Sequence, residues 1–366
     1  MKLNRLHIHS VRNLQEIILH LHPQFNVFTG HNGSGKTSVL EAIHLLGVGR
    51  SFRARQIHSI ITYQQARLAC FGEIMDLAGS KFSVGIEKFR QGEVICKVRG
   101  EICTRMSEFA TVLPLQLITP EAFKVLHAGS EERRKLLDWG VFHVEPRFGQ
   151  TCQRYLRLLK QRNAALKQAV PSQLAAWDHD LAQVGEQLAQ YRQQYLLELM
   201  PFLLAMQEKL LPSCLPIQTQ YVAGWDTHLS LADALAKALS QDRRYGYTSV
   251  GPHRADILMT LEGFPVGQVL SRGQQKLWIT ALYLAQAEHL AACHGKRCLY
   301  LLDDLTSELD VANQQRLLQL LDAQGHQVFL TGVTAKDWQE VIPPERRKMF
   351  HVEQGTLCSL EDAIPA

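Results

Sequence analysis

A glycine-rich segment early in the chain has the pattern GxxxxGK[ST]. An apolar, β-prone run at 25–29 precedes it and a helical pattern follows it, which is the context that a phosphate-binding loop requires. Glycines let backbone N–H groups curve around phosphate oxygens, and the amino end of the following helix adds positive potential. The sequence therefore predicts a nucleotide-phosphate site formed by Gly30, His31, Asn32, Gly33, Ser34, Gly35, Lys36, Thr37 and Ser38.

Two side chains of this loop and two acids far downstream would carry the chemistry. Lys36 should reach the β- and γ-phosphates of ATP, and the Thr37 hydroxyl should ligate Mg²⁺. Asp303 and Asp304 follow the apolar run 299–302, where the metal and an attacking water need negative charge. We expect Asp303 to hold Mg²⁺, directly or through water, and Asp304 to orient or deprotonate the water. Two acids after an apolar run are more often a helix cap. Because this chain also contains a phosphate-binding loop, the catalytic role is favoured here.

A third motif, 270–276, places Ser271, Gly273 and Gln274 just before a helical run at 277–290. A serine and a glycine at the amino end of a helix can present a hydroxyl and free N–H groups to an anion. An ordinary N-cap uses the same residues. Its position one helix before the acid pair favours the anion-binding interpretation over an ordinary N-cap.

The two ends of the chain share strand-and-helix patterns. Gly-containing turns separate short apolar runs at 67–103, which predicts an antiparallel meander. Strand patterns at 297–302 and 327–330 flank a helical pattern at 311–321, which favours buried parallel strands. We expect residues 1–128 and 243–366 to form one α/β domain.

The middle of the chain, 129–242, has a helical pattern. Apolar residues from Leu174 to Tyr195 recur at alternating spacings of three and four, which predicts a helix packed along another helix. We expect Pro171, Pro201 and Pro212 to separate the helices of a hairpin or small bundle.

Composition limits the class of protein. The 366 residues include 39 Lys and Arg against 35 Asp and Glu, so a strongly basic surface must come from an uneven distribution. A hydrophobic fraction of 46% excludes a mostly disordered chain. The eight cysteines include no CxxC pair, which favours reduced thiols over disulfides or a zinc site. We see no signal-peptide pattern, and the most apolar stretch, 196–206, is too short to span a bilayer, so we expect a cytoplasmic protein without a membrane partner.

The order of the three motifs resembles that of the ABC-type ATPases. The long separation between the loop at residue 30 and the motifs beyond residue 270 resembles the SMC/Rad50-like branch, in which an insertion divides the ATPase head. Further stretches are similar to the bacterial recombinational-repair members of that branch, namely 49–53, 117–121, 133–140, 160–166, 251–254 and 270–276. The resemblance implies an α/β, ABC-type P-loop head assembled from 1–128 and 243–366, with an inserted all-helical second domain at 129–242.

The resemblance also implies how such a site works. Two subunits would meet head to head on binding ATP, and Ser271, Gly273 and Gln274 of one subunit would contact the γ-phosphate held by the other. Residues 307–310 fall at the D-loop, and Thr331 falls at the switch position that many members fill with histidine.

Two departures from the wider pattern bear on hydrolysis. Asp304 stands where most members have glutamate, so its carboxylate reaches less far, and we expect slow hydrolysis, as in a switch. The resemblance implies that this weak ATPase activity is stimulated by DNA. No glutamine aligns with the Q-loop, where 117–121 falls, and the residue that senses the γ-phosphate stays unassigned.

Two basic clusters are candidate DNA contacts. Arg154, Arg157 and Lys160 are three residues apart, so they share a broad helical face that could meet duplex phosphates. A second cluster after the P-loop helix contains Arg50, Arg53 and Arg55. A solvated helix face, or local and dimer contacts, would explain these clusters equally well. Neither cluster has interleaved aromatic residues, so contacts should be mainly to the DNA backbone.

The partners come from the resemblance alone. It implies a nucleoid-associated dimer that clamps gapped or junction duplex DNA and, with RecR and RecO, promotes RecA loading in repair, replication restart and SOS induction. Two other classes stay open: an ATP-gated interaction scaffold, and an ATPase subunit of a transporter. His253 is expected to be functional, without an assigned role.

Overall fold

The computed structural model describes residues 1–168, 171–339 and 341–360. In chain order, the strands are β1 Lys2–Val11, β2 Leu14–His20, β3 Phe25–Thr29, β4 Arg67–Met75, β5 Lys81–Phe89, β6 Val94–Val98, β7 Glu101–Ile102, β8 Leu115–Ile118, β9 Gln218–Val222, β10 Asp256–Leu261, β11 Phe264–Pro265, β12 Leu299–Leu302, β13 Gln327–Gly332, β14 Arg347–Glu353 and β15 Thr356–Ser359. The α-helices are α1 Lys36–Val48, α2 Met106–Ala110, α3 Ser130–Val144, α4 Phe148–Gln168, α5 Pro171–Leu210, α6 Leu231–Tyr245, α7 Val266–Val269, α8 Arg272–His294, α9 Leu305–Glu308, α10 Val311–Ala323 and α11 Lys336–Gln339.

The chain divides into two compact units. The first unit comprises residues 1–122 and 295–366, and the second comprises 123–294. From sequence we placed residues 123–128 and 243–294 with the two ends of the chain. The structure groups them with the middle of the chain instead, because α8 packs along α5 and α3.

The first unit contains a largely parallel sheet with the strand order β15-β14-β3-β13-β12-β8. Strands β3, β12 and β13 are buried at every position, as apolar runs with both faces covered must be. The strands predicted at 25–29 and 327–330 and the helix predicted at 311–321 are confirmed. The carboxyl ends of β3, β13 and β12 therefore lie side by side at one edge of the sheet.

A second sheet of the first unit is antiparallel, with the order β2-β1-β4-β5-β6-β7. The meander predicted at 67–103 is confirmed by the successive pairings of β4 to β7. Alternate residues of β1, such as Leu6 and Ile8, join α1 residues such as Leu40 and Ile43 in one core. This packing fixes α1 between the two sheets.

The second unit is mainly helical. α5 continues through Pro201, so the break that we predicted there is wrong, whereas Pro171 begins the helix and Pro212 lies beyond its end. The lost backbone hydrogen bond is tolerated because Pro201 is exposed, while Leu199 and Leu203 on either side are fully buried. The insert that we expected to be all-helical also contains β9, which pairs with β10 in a small antiparallel sheet.

A buried arginine organises one corner of the second unit. Arg162 is fully buried, and its guanidinium is 2.5 Å from Asp178 Oδ1 and 2.6 Å from Asp242 Oδ2. It also donates to Thr248 Oγ1 at 2.9 Å. The neighbouring Asn163 accepts hydrogen bonds from the backbone N–H and the hydroxyl of Thr248. Residues of the 160–166 stretch thus hold the chain that follows α6.

Replacing Arg162 should destabilise the second unit strongly. Arg162→Met leaves Asp242 buried without its cation, so we expect the free energy of unfolding to fall by about 3–5 kcal/mol. Urea unfolding followed by the helical circular dichroism signal measures the loss. Arg157→Met, at an exposed position on the same helix, should change the stability by less than about 0.5 kcal/mol. Equal stability of the two variants would contradict a structural role for Arg162.

Candidate functional site

The loop between β3 and α1 has a backbone that only glycine can adopt at two points. Gly30 has φ of +148°, and a Cβ there would lie 2.2 Å from Val352 O. Gly35 has φ of +121°, and a Cβ there would lie 2.9 Å from Asn13 Nδ2. The predicted loop is thus held between β14 and the turn after β1, and its backbone cannot accept side chains at these positions.

Lys36 lies across this loop. Its Nζ donates to Gly30 O at 2.6 Å and to His31 O at 2.9 Å. Burial lowers the pKa of Lys36, while the charges of Asp304 and Asp303 act in the opposite direction. The ammonium group is therefore held where the loop N–H groups and the acid pair meet, as a contact to terminal phosphates requires.

Asp303 sits at the end of β12 between two hydroxyl groups. Its Oδ1 accepts from Thr331 Oγ1 at 2.7 Å and from Thr37 Oγ1 at 3.1 Å. Burial raises the pKa of Asp303, and these two hydrogen bonds oppose that shift. The adjacent oxygens of Thr37 and Asp303 are hard ligands that suit Mg²⁺, which typically takes only one or two protein ligands besides phosphate and water. The described residues contain no cluster of three or more His, Cys, Asp or Glu that could hold a metal by itself.

Asp304 has a left-handed backbone conformation, with φ of 55°. Its N–H donates to Thr331 Oγ1 at 2.9 Å, and its Oδ2 accepts from Ser307 Oγ at 2.9 Å. Its side chain is exposed, unlike the half-buried carboxylate of Asp303. The Thr331 hydroxyl therefore connects both acids, and Asp304 lines the same cleft as Lys36 and Asp303.

Sequence reasoning gave Asn13 no role in the site. Its Nδ2 donates to Ser34 O at 2.8 Å, and its Oδ1 accepts from Ser38 Oγ at 3.0 Å. Gly355 N also donates to Ser34 O, at 2.9 Å. The loop is thus clamped from two directions by residues far away in sequence. The only signal in the sequence was the Arg-Asn pair after β1.

The arginine of that pair forms a buried ion pair with α1. Arg12 donates from Nε and Nη2 to the two carboxylate oxygens of Glu41, at 2.8 and 2.9 Å. Glu41 is fully buried and also accepts a hydrogen bond from the Ser51 hydroxyl. The pair thus connects the turn after β1, helix α1 and the segment that follows α1.

The predicted basic cluster after α1 lies partly at the nucleotide site. Arg50, Arg53 and Arg55 are all exposed. Arg53 lines a cleft of about 1080 Å³ together with Lys36 and Asp303. Residues 119–121, from the segment that we aligned with the Q-loop, line the same cleft. Arg53 therefore lies at the predicted nucleotide site, and its expected role in DNA binding stays a prediction.

The third motif forms a reciprocal cap at the start of α8. Ser271 N donates to Gln274 Oε1 at 2.9 Å, and Gln274 N donates to Ser271 Oγ at 3.3 Å. Residues 271–274 are exposed, and a Cβ on Gly273 would meet no atom within 4 Å. This is the capping box that the N-cap alternative describes. The contacts of Ser271, Gly273 and Gln274 to a phosphate stay predictions.

Of the second basic cluster, Arg154, Arg157 and Lys160 are exposed on α4. Arg162, which lies in the same basic run of the sequence, is buried in its ion pairs and is not part of that surface. The α4 stripe, by which we mean Arg154, Arg157 and Lys160, is available to a partner.

His253 is half-buried in the second unit. One ring nitrogen lies 2.8 Å from Tyr155 Oη and the other lies 2.9 Å from Thr248 O. Burial lowers the pKa of His253 to about 4, so the ring is neutral near pH 7. These contacts give His253 a structural position.

Comparison with known proteins gives a consistent family. The sequence profile described as "RecF/RecN/SMC N terminal domain" matches residues 2–357. A protein of Pseudomonas fluorescens named DNA replication and repair protein RecF is 40% identical over 371 residues, with 99% of both chains covered. The protein of the same name from Pseudomonas paraeruginosa is 42% identical over 363 residues, with 97% of both chains covered.

Solved structures agree with the sequence comparison. A structure described as the recombination mediator protein RecF with ATP in the RecFOR pathway has a TM-score of 0.89 and 25% identity, covering 98% of this chain and 97% of that chain. An SMC head bound to the C-terminal winged-helix domain of ScpA has a TM-score of 0.56 and 14% identity, covering 99% of both chains, and shows the fold alone.

Removing the Thr331 hydroxyl should weaken Mg²⁺-dependent nucleotide binding. Thr331→Val deprives Asp303 Oδ1 and Asp304 N of their shared partner, and hydrogen bonds to charged groups contribute about 1.5–3 kcal/mol. We expect the Kd for ATP with Mg²⁺ to rise on the order of tenfold, measured by equilibrium dialysis. Thr331→Ser keeps the hydroxyl and should bind like the wild type. Equal affinity of Thr331→Val and the wild type would contradict the bridging role.

Proposed function

The chain belongs to the RecF family of the RecF/RecN/SMC proteins, and from that premise we propose that it is an ATP-dependent DNA-binding protein of recombinational repair. The observation that carries the proposal is the convergence of Lys36, Thr37, Asp303 and Thr331 at the carboxyl ends of three neighbouring parallel strands. That arrangement supports binding of a nucleoside triphosphate with its metal.

In this proposal each residue of the site has one task. The N–H groups of the 30–35 loop and Lys36 bind the β- and γ-phosphates. Thr37 and Asp303 would hold Mg²⁺, which would supply positive charge to the phosphates. Asp304, exposed at the same cleft, orients the attacking water and accepts its proton.

Hydrolysis is slow in this proposal. The aspartate carboxylate at 304 is one methylene shorter than that of the glutamate in most ABC-type sites, so the water is positioned less closely. Its Oδ2 is also engaged by Ser307 Oγ at 2.9 Å, and this hydrogen bond must be given up or shared before that oxygen receives a proton. The ATP-bound state therefore persists, and the protein acts as a switch.

The switch acts by dimerisation. Ser271, Gly273 and Gln274 are exposed at the amino end of α8, where N–H groups and a hydroxyl suit an anion brought by a second copy of the chain. Two protomers would bury two nucleotides between them.

The dimer clamps duplex DNA at gaps or at junctions between single and double strands, and hydrolysis releases it. The exposed α4 stripe supplies backbone contacts. The solved relatives are described as recombination mediators of the RecFOR pathway. That description supports RecR and RecO as partners of this chain and, through them, a role in RecA loading, replication restart and SOS induction.

No helix in the described part of the chain is both long and apolar enough to cross a membrane. The proposed location is the cytoplasm, at the nucleoid.

The dimer site can be tested at Ser271. Ser271→Arg places a long cation where the second protomer should approach, so we expect ATP-driven dimers to disappear in sedimentation velocity while each monomer still binds ATP through Lys36. Gln190→Arg, at an exposed position on α5, is the matched control and should dimerise normally. Normal dimers of Ser271→Arg would contradict the proposed interface.

DNA binding can be tested with a gapped duplex and a plain duplex, each with ATP, ADP or no nucleotide and Mg²⁺, at two salt concentrations. The wild type should bind the gapped duplex in an ATP-dependent way, and Lys36→Ala should lose that dependence because it no longer binds ATP. Changing Arg154, Arg157 and Lys160 to alanine should reduce the slope of log affinity against log salt by about 2 to 3, since each phosphate contact contributes about 0.9.

The matched control changes three exposed lysines elsewhere, Lys97, Lys124 and Lys209, and should leave the salt slope unchanged. An unchanged slope in the α4 variant would exclude the stripe as the contact. Wild-type binding that is indifferent to nucleotide would contradict the ATP-dependent clamp and favour an ATP-gated scaffold.

A further inference from the structure

Two tyrosines at the carboxyl end of α6 form an exposed, stacked pair. The ring centroids of Tyr245 and Tyr247 are 5.7 Å apart and the ring planes are within 15° of parallel. The two residues remain 50% and 42% exposed. Aromatic side chains offer large flat surfaces for stacking, and these two project into solvent as an ordered pair.

The stacking of the two rings depends on Gly246, which separates the two tyrosines in sequence. Residues two apart in a helix point in different directions, so a continuing helix would separate them. Gly246 ends α6 in a left-handed conformation with φ of 72°, and its N–H donates to Asp242 O at 2.7 Å. The resulting reversal of the chain brings Tyr247 back beside Tyr245.

Buried polar contacts hold this turn rigidly. Asp242 is fully buried, is paired with Arg162, and accepts from both N–H and Oγ of Ser249. Thr248 is held by Asn163. The aromatic pair is therefore anchored on both sides, at Asp242 before it and at 248–249 after it, and a ligand would not have to order it.

The surroundings of the pair are basic. The Arg254 guanidinium carbon is 5.4 Å from the centroid of the Tyr247 ring. Arg243 and Arg244 are exposed in the last turn of α6, and a Cβ at Gly246 would lie 3.4 Å from Lys167 Cγ. The one acid in residues 237–255 is Asp242, whose charge is already balanced in the interior.

We propose that these residues, the stacking platform formed by Tyr245, Tyr247, Arg243, Arg244, Arg254 and Lys167, bind the unpaired bases and phosphates of a single DNA strand. A base stacks on the exposed Tyr245 ring, and the basic side chains contact the flanking phosphates. Stacking of this kind tolerates any base, because every base has a π-face, and the surrounding cations match the strand backbone. The inference rests on the proposed function: in a gapped duplex, these residues would bind the unpaired strand.

The α4 stripe leads towards the platform. Lys160 and Lys167 are seven residues apart on α4, so they share a face and lie about 10 Å apart along the axis. A strand that leaves a duplex bound along α4 would thus pass from Lys160 to Lys167 before it reaches the tyrosines. Phosphate contacts and base contacts occupy neighbouring parts of the same unit.

The test compares the full-length wild type with Tyr245→Ala and Tyr245→Phe. The probes are a single-stranded oligothymidylate, an oligonucleotide of the same length made of abasic sites, and a plain duplex, each measured by fluorescence anisotropy. Tyr245→Ala should bind the oligothymidylate about 5- to 150-fold more weakly, as expected for the loss of one base–aromatic stack. Binding of the abasic strand and the duplex should change less than about twofold, and Tyr245→Phe should match the wild type on every probe.

A second readout reports contact directly. Photo-crosslinking to an oligonucleotide that carries 5-iodouracil should modify the peptide that contains Tyr245 and Tyr247 in the wild type. Circular dichroism and the urea midpoint establish that Tyr245→Ala is folded.

Three results would overturn the platform: no wild-type binding to the oligothymidylate, equal binding by folded Tyr245→Ala, or equal weakening on the base-containing and abasic strands. Unchanged single-strand binding would leave the exposed aromatic pair as a surface for a protein partner. The proposed function fails separately. If gapped-duplex binding ignores ATP while Tyr245→Ala weakens only base-containing strands, the platform stands and the ATP-dependent clamp falls.

Discussion

The candidate site depends on the parallel pairing of β13 between β3 and β12. This register brings the loop after β3, the acids after β12 and Thr331 of β13 to one edge of the sheet, although Thr37 and Asp303 are 266 residues apart in sequence. The Thr331 hydroxyl then links Asp303 to Asp304, and Thr37 reaches Asp303 from the first turn of α1. A slip of one residue in either pairing would direct these side chains to the opposite face of the sheet.

In the second unit, buried and partly buried ion pairs perform the positioning that the parallel sheet performs in the first. Besides Arg162, Arg192 pairs with Asp138 in a bidentate manner and donates to Pro252 O, and Arg133 pairs with Asp256. Burying charges is expensive unless they are paired and hydrogen-bonded, so such pairs specify one arrangement of the turn at 248–256. The sequence stretches that carry the family resemblance here are thus scaffolding, and the exposed groups that they position are candidates for contact with partners.

Local patterns predicted the elements of the first unit well and the packing less well. The loop, β3, the meander and α10 have strong local signals: glycines before a lysine, apolar runs and helical spacing. Asn13 had no such signal, since its partners Ser34 and Ser38 become neighbours only when β1 and α1 pack together. At Pro201 the local signal was strong but the predicted helix break is wrong. The packing of the buried leucines on both sides outweighs the one missing backbone hydrogen bond. The basic residues flanking Tyr245 were readable in the sequence, but the stacking of its ring on Tyr247 was not.

By itself, the sequence determined the chemical groups of this protein: a loop that can enclose phosphates, a lysine and a threonine for its ligands, two acids at the end of an apolar strand, and an arginine-rich helix face. The tertiary structure alone decided which groups meet. It buried Arg162 and left Arg157 exposed, lowered the pKa of the half-buried His253, and stacked the rings of Tyr245 and Tyr247 on each other. The reason is physical: residue type limits what a side chain can do, whereas burial, charge pairing and backbone reversal depend on neighbours that are distant in sequence.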